Sequence, residues 1–586
     1  MSAFLPLQDP DHPSREVLLR SARDNYQYSY THVSPLAILD RVPFKDEFSV
    51  GWLMHMAERV AVMFANRAEL EIHEEIKQMQ HGMGRLLTRM VSDVGAAVRG
   101  LKRMVADSLR FEPRISAEPT PARILDDYTS LFCRIGLPPV CKDYHKDDSF
   151  AGMRVIGPNP VMLRRFPARD ERFPLSDTDF ATAVPGDSFD AALAEGRLFV
   201  ADYSALEGHE LGDYPHGKKY IYAPIALFVV NRATQRLAPV AIQCTQQPGP
   251  NSPIFTPNDG YNWLIAKTIV EIADGNVHEA CTHLGQTHLL MEPFVISLFR
   301  QVAPNHPLAI LLAPHFQDTL AINESAWRHL IANKGGIDKL LGGSLVASRG
   351  LSANSVIKAR VVDMLLPKTL AARGVDDEET LPDYPYRDDA GLYYRAIQDW
   401  VAEYLALYYT SPQELHTDNE LQAWAAEIAS SEGGRIGGMP NDGAFRTIEE
   451  LSDVVSFVIF TCSVQHAAVN FPQYELMSYV PNMPLAGYRP APTSKSGATE
   501  SEYLAMLPPL DMAELQMELG YVLGSLRYSR FGHYDHGHFA DPRVGPKLAL
   551  FQQRLNDINF AIDERNQTRR VYSTLSASGI PQSINV

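Results

Sequence analysis

Positive charge is in short supply in this chain of 586 residues. Lys and Arg number 53 against 70 Asp and Glu, a formal net charge of −17. That balance argues against nonspecific binding to nucleic acid or to an anionic membrane surface. Cysteine is scarce too. Cys133, Cys141, Cys244, Cys281 and Cys462 are scattered, odd in number and without a C-x-x-C pair, so a disulfide framework is not expected. They read as free thiols in a reducing, cytoplasmic compartment. Uninterrupted apolar runs stay short of the roughly 20 residues that cross a bilayer. The opening MSAFLPLQDPDHPSREVLLR lacks the basic-then-apolar order of a signal peptide. Internal repeats and low-complexity tracts are also missing.

What is present is a chain 45% hydrophobic, enough to bury a large core. Residues 1–43 are rich in proline and polar groups and read as an irregular arm. Residues 50–109 turn helical and carry Met54, Met56, Met63, Met79, Met83, Met90 and Met104. These are core-facing methionines of two or three helices, or an adaptable cover over a lipid entrance. Residues 112–260 hold more Pro, Asp and Gly. In them KKYIYAPIALFVVN and LAPVAIQC suggest a hairpin or small sheet. After TPNDG a long helix is expected over 261–302, and a second over 390–410. The Gly-rich SSEGGRIGGMPNDG precedes a third, which opens at Thr447 with Glu450 three residues on, a capping box, and should stop near Pro472. Further helices are expected over about 513–526 and 547–567. The fold class is mainly α with a minor β portion. Its parts are an arm and helical extension, 1–110, packed on one large domain, 111–586.

The chemistry gathers in NVHEACTHLGQTHLLMEPF, where His278, His283 and His288 stand five residues apart. A zinc-protease H-E-x-x-H fails by one residue here. On a regular α-helix, rings five apart point about 140° away from each other. They converge only where the helix widens to π, a distortion that tends to mark functional sites. The third helix carries His466 and Asn470, four apart and on one face. Taken alone, each set is more often a hydrogen-bonded core group than a ligand set. Together they offer three imidazoles and an amide. Neither helix holds a thiolate pair of the structural-zinc kind. Nitrogen ligands with one carboxylate and open positions suit redox-active non-haem iron, although neither helix provides an evident carboxylate. Glu279 is nearest, on another face.

HEACTHLGQTHLLMEPF, VQHAAVNFPQY and the terminal GIPQSINV resemble the signature set of the lipoxygenases. YNWLIAKTIVEIAD, PNHPLAILLAPHF, LPDYPYRDDAGLYYRAIQDWVAEYLALYY and YVPNMPLAGYRPAPTSK resemble the same family, over about residues 115–586. The resemblance implies one iron held by His283, His288, His466, Asn470 and the terminal carboxylate of Val586, where the usual last residue is isoleucine. It implies Glu279 and Gln473 as hydrogen-bonded links between the two ligand helices. It implies a substrate channel lined by Leu330, Ile337, Leu340, Leu341, Leu519 and Leu523, and stereocontrol at Ala326, where alanine accompanies S products. A carboxylate-binding arginine has no clear match; Ser325 and Met483 stand where one can occur, and Arg328 is a substitute. The N-terminal β-sandwich of many members is not expected, as in short bacterial-type members.

The implied activity is dioxygenation of polyunsaturated fatty acids bearing a cis,cis-1,4-pentadiene. A ferric iron with bound hydroxide abstracts hydrogen and O2 adds to the radical. A hydroperoxide isomerase on the same iron, and a non-catalytic lipid binder, are the competing readings. The partners expected are a fatty acid and O2, without nucleic acid, with transient membrane contact, and with a monomer as the working unit.

Overall fold

The computed structural model describes residues 3–76, 115, 118–576 and 579–586. Two helical rods pass through its core. The first is continuous but changes its winding, from α-helix Tyr261–Val277 to π-helix His278–Leu289 and back to α-helix Leu290–Gln301. The expected long helix over 261–302 is therefore present, with the widened segment where the histidines fall. The second rod starts at the Thr447 capping box, in which the Thr447 hydroxyl accepts from the Glu450 N–H. It runs through α-helix Ile448–Phe460, π-helix Thr461–Gln465 and α-helix His466–Asn470.

The expected stop near Pro472 does not occur. Proline has no N–H to give an α-helix, and the backbone widens into π-helix Gln473–Met477 instead of ending. The whole of Ile448–Met477 is long and apolar enough to cross a membrane, yet 94% of its most apolar stretch is buried in the protein. It is a core helix whose apolarity serves packing.

The anticipated hairpin is real and belongs to a five-stranded antiparallel sheet. Its strands, in spatial and chain order, are Arg164–Arg165, Leu198–Asp202, Ile225–Val230, Leu237–Gln243 and Ile254–Phe255. Side chains alternate across a strand. Ala226, Phe228 and Val230 join the main helical core, while Ile225, Leu227 and Val229 pack with Phe166, Phe180 and Phe189.

The arm over 1–43 is less irregular than its composition suggests. His12–Asn25 is an α-helix capped by the Asp11 side chain. Pro13 sits in its first turn, where the missing N–H costs nothing. Tyr28–Ser29 and Ile38–Leu39 then pair as a short ribbon. Helix Val50–Ile76 follows, with Met56 and Met63 buried and Met54 exposed. Met79, Met83, Met90 and Met104 lie outside the described residues. The second expected helix begins earlier than 390, as Pro385–Leu405, because Pro385 opens rather than breaks it. Leu510–Ser525 and Val544–Arg565 match the last two expected helices. All five cysteines are free.

Candidate metal centre

The π-winding of His278–Leu289 answers the five-residue spacing. Bonding from i to i+5 brings residues five apart over one another, so His283 and His288 both reach the second rod. His283 Nε2 and His288 Nε2 lie 3.4 and 3.2 Å from His466 Nε2. The three rings are buried and form the His group whose ligand atoms all lie within 4.8 Å of one another. Two nitrogens bound at right angles about 2.1 Å from one ion lie about 3 Å apart. The triad therefore fits a single metal.

The electrostatics fit as well. Burial, reinforced by the neighbouring imidazoles, pushes His288 down to about 3 and His466 well below its ordinary value; burial also lowers His283. Neutral rings offer the lone pairs a metal needs.

Asn470 lies one turn beyond His466, fully buried. Its Nδ2 donates to the Leu523 carbonyl at 3.1 Å, and its Oδ1 accepts from Gln473 Nε2 at 2.8 Å. Gln473 thus orients Asn470. Glu279 sits instead against His278, 3.5 Å away, and His283, 3.9 Å away. Burial pushes its carboxyl up, but the two imidazoles outweigh burial and hold it near 2. Among the described residues Glu279 and Gln473 share no hydrogen bond. The bridge between the rods is made by His278, whose Nε2 donates to the Val469 carbonyl at 2.8 Å.

Val586 is buried, and its backbone oxygen faces the His466 ring. The tail is tied down along its length. Trp52 Nε1 donates to the Asn585 carbonyl at 2.6 Å, Asn585 Nδ2 to the Tyr528 carbonyl at 3.0 Å, and His315 Nδ1 to the Gln582 carbonyl at 2.9 Å.

The proposed channel residues come from three neighbouring elements. Leu330 ends the π-turn Ala326–Leu330; Ile337 and Leu340 lie on Gly336–Leu340 with Leu341 just after it; Leu519 and Leu523 are one turn apart on Leu510–Ser525. Leu330 and Leu519 flank Gly336, where a Cβ would stand 3.3 and 3.8 Å from their Cδ2 atoms. Ala326 is buried and opens the π-turn that carries Leu330. Ser325 ends the preceding helix, Met483 is buried in the core, and Arg328 pairs at the surface with Glu324 at 2.9 Å.

Three residues passed over in the sequence stand close to the triad or its tail. Asn323 Oδ1 meets His288 Nδ1 at 2.8 Å, and Asn323 Nδ2 donates to Glu292 Oε2 at 2.8 Å. Trp52 is the third. Their signals are faint: a lone Glu in the apolar LLMEPF, a lone Asn in TLAIN, and an indole in a helix that looks merely amphipathic.

The lipoxygenase family profile matches residues 134–584. Linoleate 9/13-lipoxygenase of Pseudomonas aeruginosa is 36% identical over 629 residues, an alignment covering 98% of this chain and 91% of that protein. Human polyunsaturated fatty acid lipoxygenase ALOX15B is 36% identical over 431 residues, covering 72% of this chain and 63% of that one. Among solved structures, an anaerobic crystal structure of a LOX variant in complex with arachidonate superposes with a TM-score of 0.86 at 27% identity, covering 100% of this chain and 84% of that one. The profile and the bacterial relative each span most of the sequence, and the chain belongs to the lipoxygenase family.

Proposed function

We propose that this lipoxygenase holds one non-haem iron through His283, His288, His466, Asn470 and the carboxylate of Val586, and uses it to dioxygenate polyunsaturated fatty acids, giving mainly S hydroperoxides. Bound there, iron supplies the one-electron oxidant that a doubly allylic C–H requires. The rest is done by the chain. Three neutral imidazoles and one terminal carboxylate form a mostly nitrogen set suited to iron. Gln473 holds the Asn470 amide so that Oδ1 stays on the ligand side. Leu330, Leu519 and Leu523 offer an apolar wall that positions a pentadiene and keeps water from a carbon radical. Dioxygen is the second substrate, and Ala326 limits where it adds. Residues 3–76 are the extension packed on the catalytic domain, the remainder of the expected 1–110 extension lying outside the described residues, and the working unit is a monomer.

The observation that carries this reading is the convergence of three buried Nε2 atoms from two rods, 3.2 and 3.4 Å apart, with Val586 beside them. Metal analysis of the purified protein, with oxygen uptake on linoleate and arachidonate, tests it. One iron per chain and stoichiometric O2 consumption are expected. Stoichiometric zinc without iron, in protein grown with ample iron, sinks the reading. Iron with consumption of fatty-acid hydroperoxide and no O2 uptake favours the isomerase instead.

A further inference from the structure

Behind His288 stands a line of polar groups that leads away from the triad to the N-terminal arm. The Leu39 N–H donates to Glu292 Oε1 at 2.7 Å. Asn323 Nδ2 donates to Glu292 Oε2 at 2.8 Å and to the His288 carbonyl at 3.0 Å. Asn323 Oδ1 faces His288 Nδ1 at 2.8 Å. Glu292, Asn323, His288 and Leu39 are all buried, so bulk solvent does not reach these partners.

The direction of each bond follows from its neighbour. An ionised carboxylate only accepts. Glu292 therefore requires Asn323 to present Nδ2, which leaves Oδ1 for His288. An imidazole facing an amide oxygen places its hydrogen on Nδ1. The lone pair is then on Nε2, the atom that lies 3.2 Å from His466 Nε2. We propose that Glu292 and Asn323 are positioning residues that fix the tautomer of His288, and that Leu39 of the N-terminal ribbon anchors them. The inference rests on the iron site proposed above. It also gives the arm a part in the metal centre, although Leu39 lies outside residues 134–584 that match the family.

Glu292→Gln tests it because the side chain keeps its shape and gains one donor. If the oxygen of the introduced amide stays with the Leu39 N–H, its NH2 group faces Asn323 Nδ2. The Asn323 amide must then turn over, present N–H to His288 Nδ1, and drive the imidazole hydrogen onto Nε2. The opposite placement sets a donor against the Leu39 N–H. Release of iron from the reduced protein to a ferrous chelator is followed at pH 8, above the value of about 7 to which burial lifts the Glu292 carboxyl. Release about tenfold to a hundredfold faster than wild type is expected, with a ferric electron paramagnetic resonance spectrum split into more than one species. The thermal midpoint of the metal-free protein should fall only slightly, because the packing is unchanged and the loss is the bond from Asn323 Nδ2 to the His288 carbonyl. Wild-type release and a wild-type spectrum in Glu292→Gln overturn the inference. If that variant does not fold, Asn323→Ala decides on the same two readouts, and wild-type behaviour there overturns it as well. Wild-type protein that binds no iron removes the site itself and this inference with it, whereas iron-loaded wild type beside an indifferent variant removes only the inference.

Discussion

The proposed stereocontrol rests on one methyl group, that of Ala326. It is 6% exposed and opens the π-turn Ala326–Leu330, three residues past Asn323 on the same run of helix. In a close-packed wall, a methyl occupies space that O2 would need at one end of a pentadiene. About 1.4 kcal/mol of barrier difference suffices for a tenfold product ratio. Wild type is therefore expected to give mainly S hydroperoxide. Ala326→Gly should shift product toward R at a different carbon, as read by chiral chromatography. A wild type giving mainly R product refutes the assignment, and unchanged products in the variant reduce Ala326 to packing. Residues of this kind are legible to different degrees. His283, His288, His466 and Asn470 can be picked out because residue type and spacing are local properties of two helices. Asn323 and Glu292 cannot, because their meaning lies in a contact with His288 across 35 positions of chain and in a backbone N–H of Leu39, which no side-chain pattern encodes.

At the scale of elements, the π-helix His278–Leu289 is what the five-residue histidine spacing required, and composition alone could not separate it from an α-helix with three unrelated rings. The long helices are readable from apolar periodicity and caps such as Thr447–Glu450. The errors come from proline, which opens the helices at 12 and 385 and widens the one at 472 rather than ending it. The widened rod needs room, and Gly285 provides it. A Cβ there would stand 2.0 Å from Ser355 Oγ and 3.1 and 3.2 Å from the carbonyls of Ala280 and Ser352. Ser355 already donates to the Ser352 carbonyl at 2.7 Å. Gly285→Ala should thus force Ser355 to turn away and lose that bond, at a cost of about 1–3 kcal/mol for overpacking. The expected outcome is a lower thermal midpoint and reduced iron content, partly restored in Gly285→Ala/Ser355→Ala, where the closest clashing atom is gone. If the double variant is no better than the single one, the carbonyls rather than Ser355 set the limit.

Over the whole molecule, the two ends of the chain meet at the metal centre. The arm reaches His288 through Leu39, and helix Val50–Ile76 reaches the tail through Trp52, whose ring also stacks on Phe48 with centroids 3.8 Å apart. No pattern of residues hints at these positions so far from the histidines, since one contact is made by the Leu39 backbone N–H and the other ends on the Asn585 backbone carbonyl. The tail is held from Gln582 to Asn585, so Val586 arrives at His466 in one place. Val586 is itself buried, so residues added beyond it have to displace packed neighbours, and a peptide carbonyl would stand where the carboxylate stood. Adding two residues after Val586 should lower iron content and fatty-acid turnover by at least about tenfold, since losing even a ligand's supporting partner typically costs that much. Amidating Val586 separates charge from bulk, because it removes the carboxylate charge with almost no change in size. If the carboxylate is the ligand, the amide loses iron as the extended chain does. If the amide keeps full iron and only the extension fails, the tail acts as a plug and the fifth ligand is not Val586.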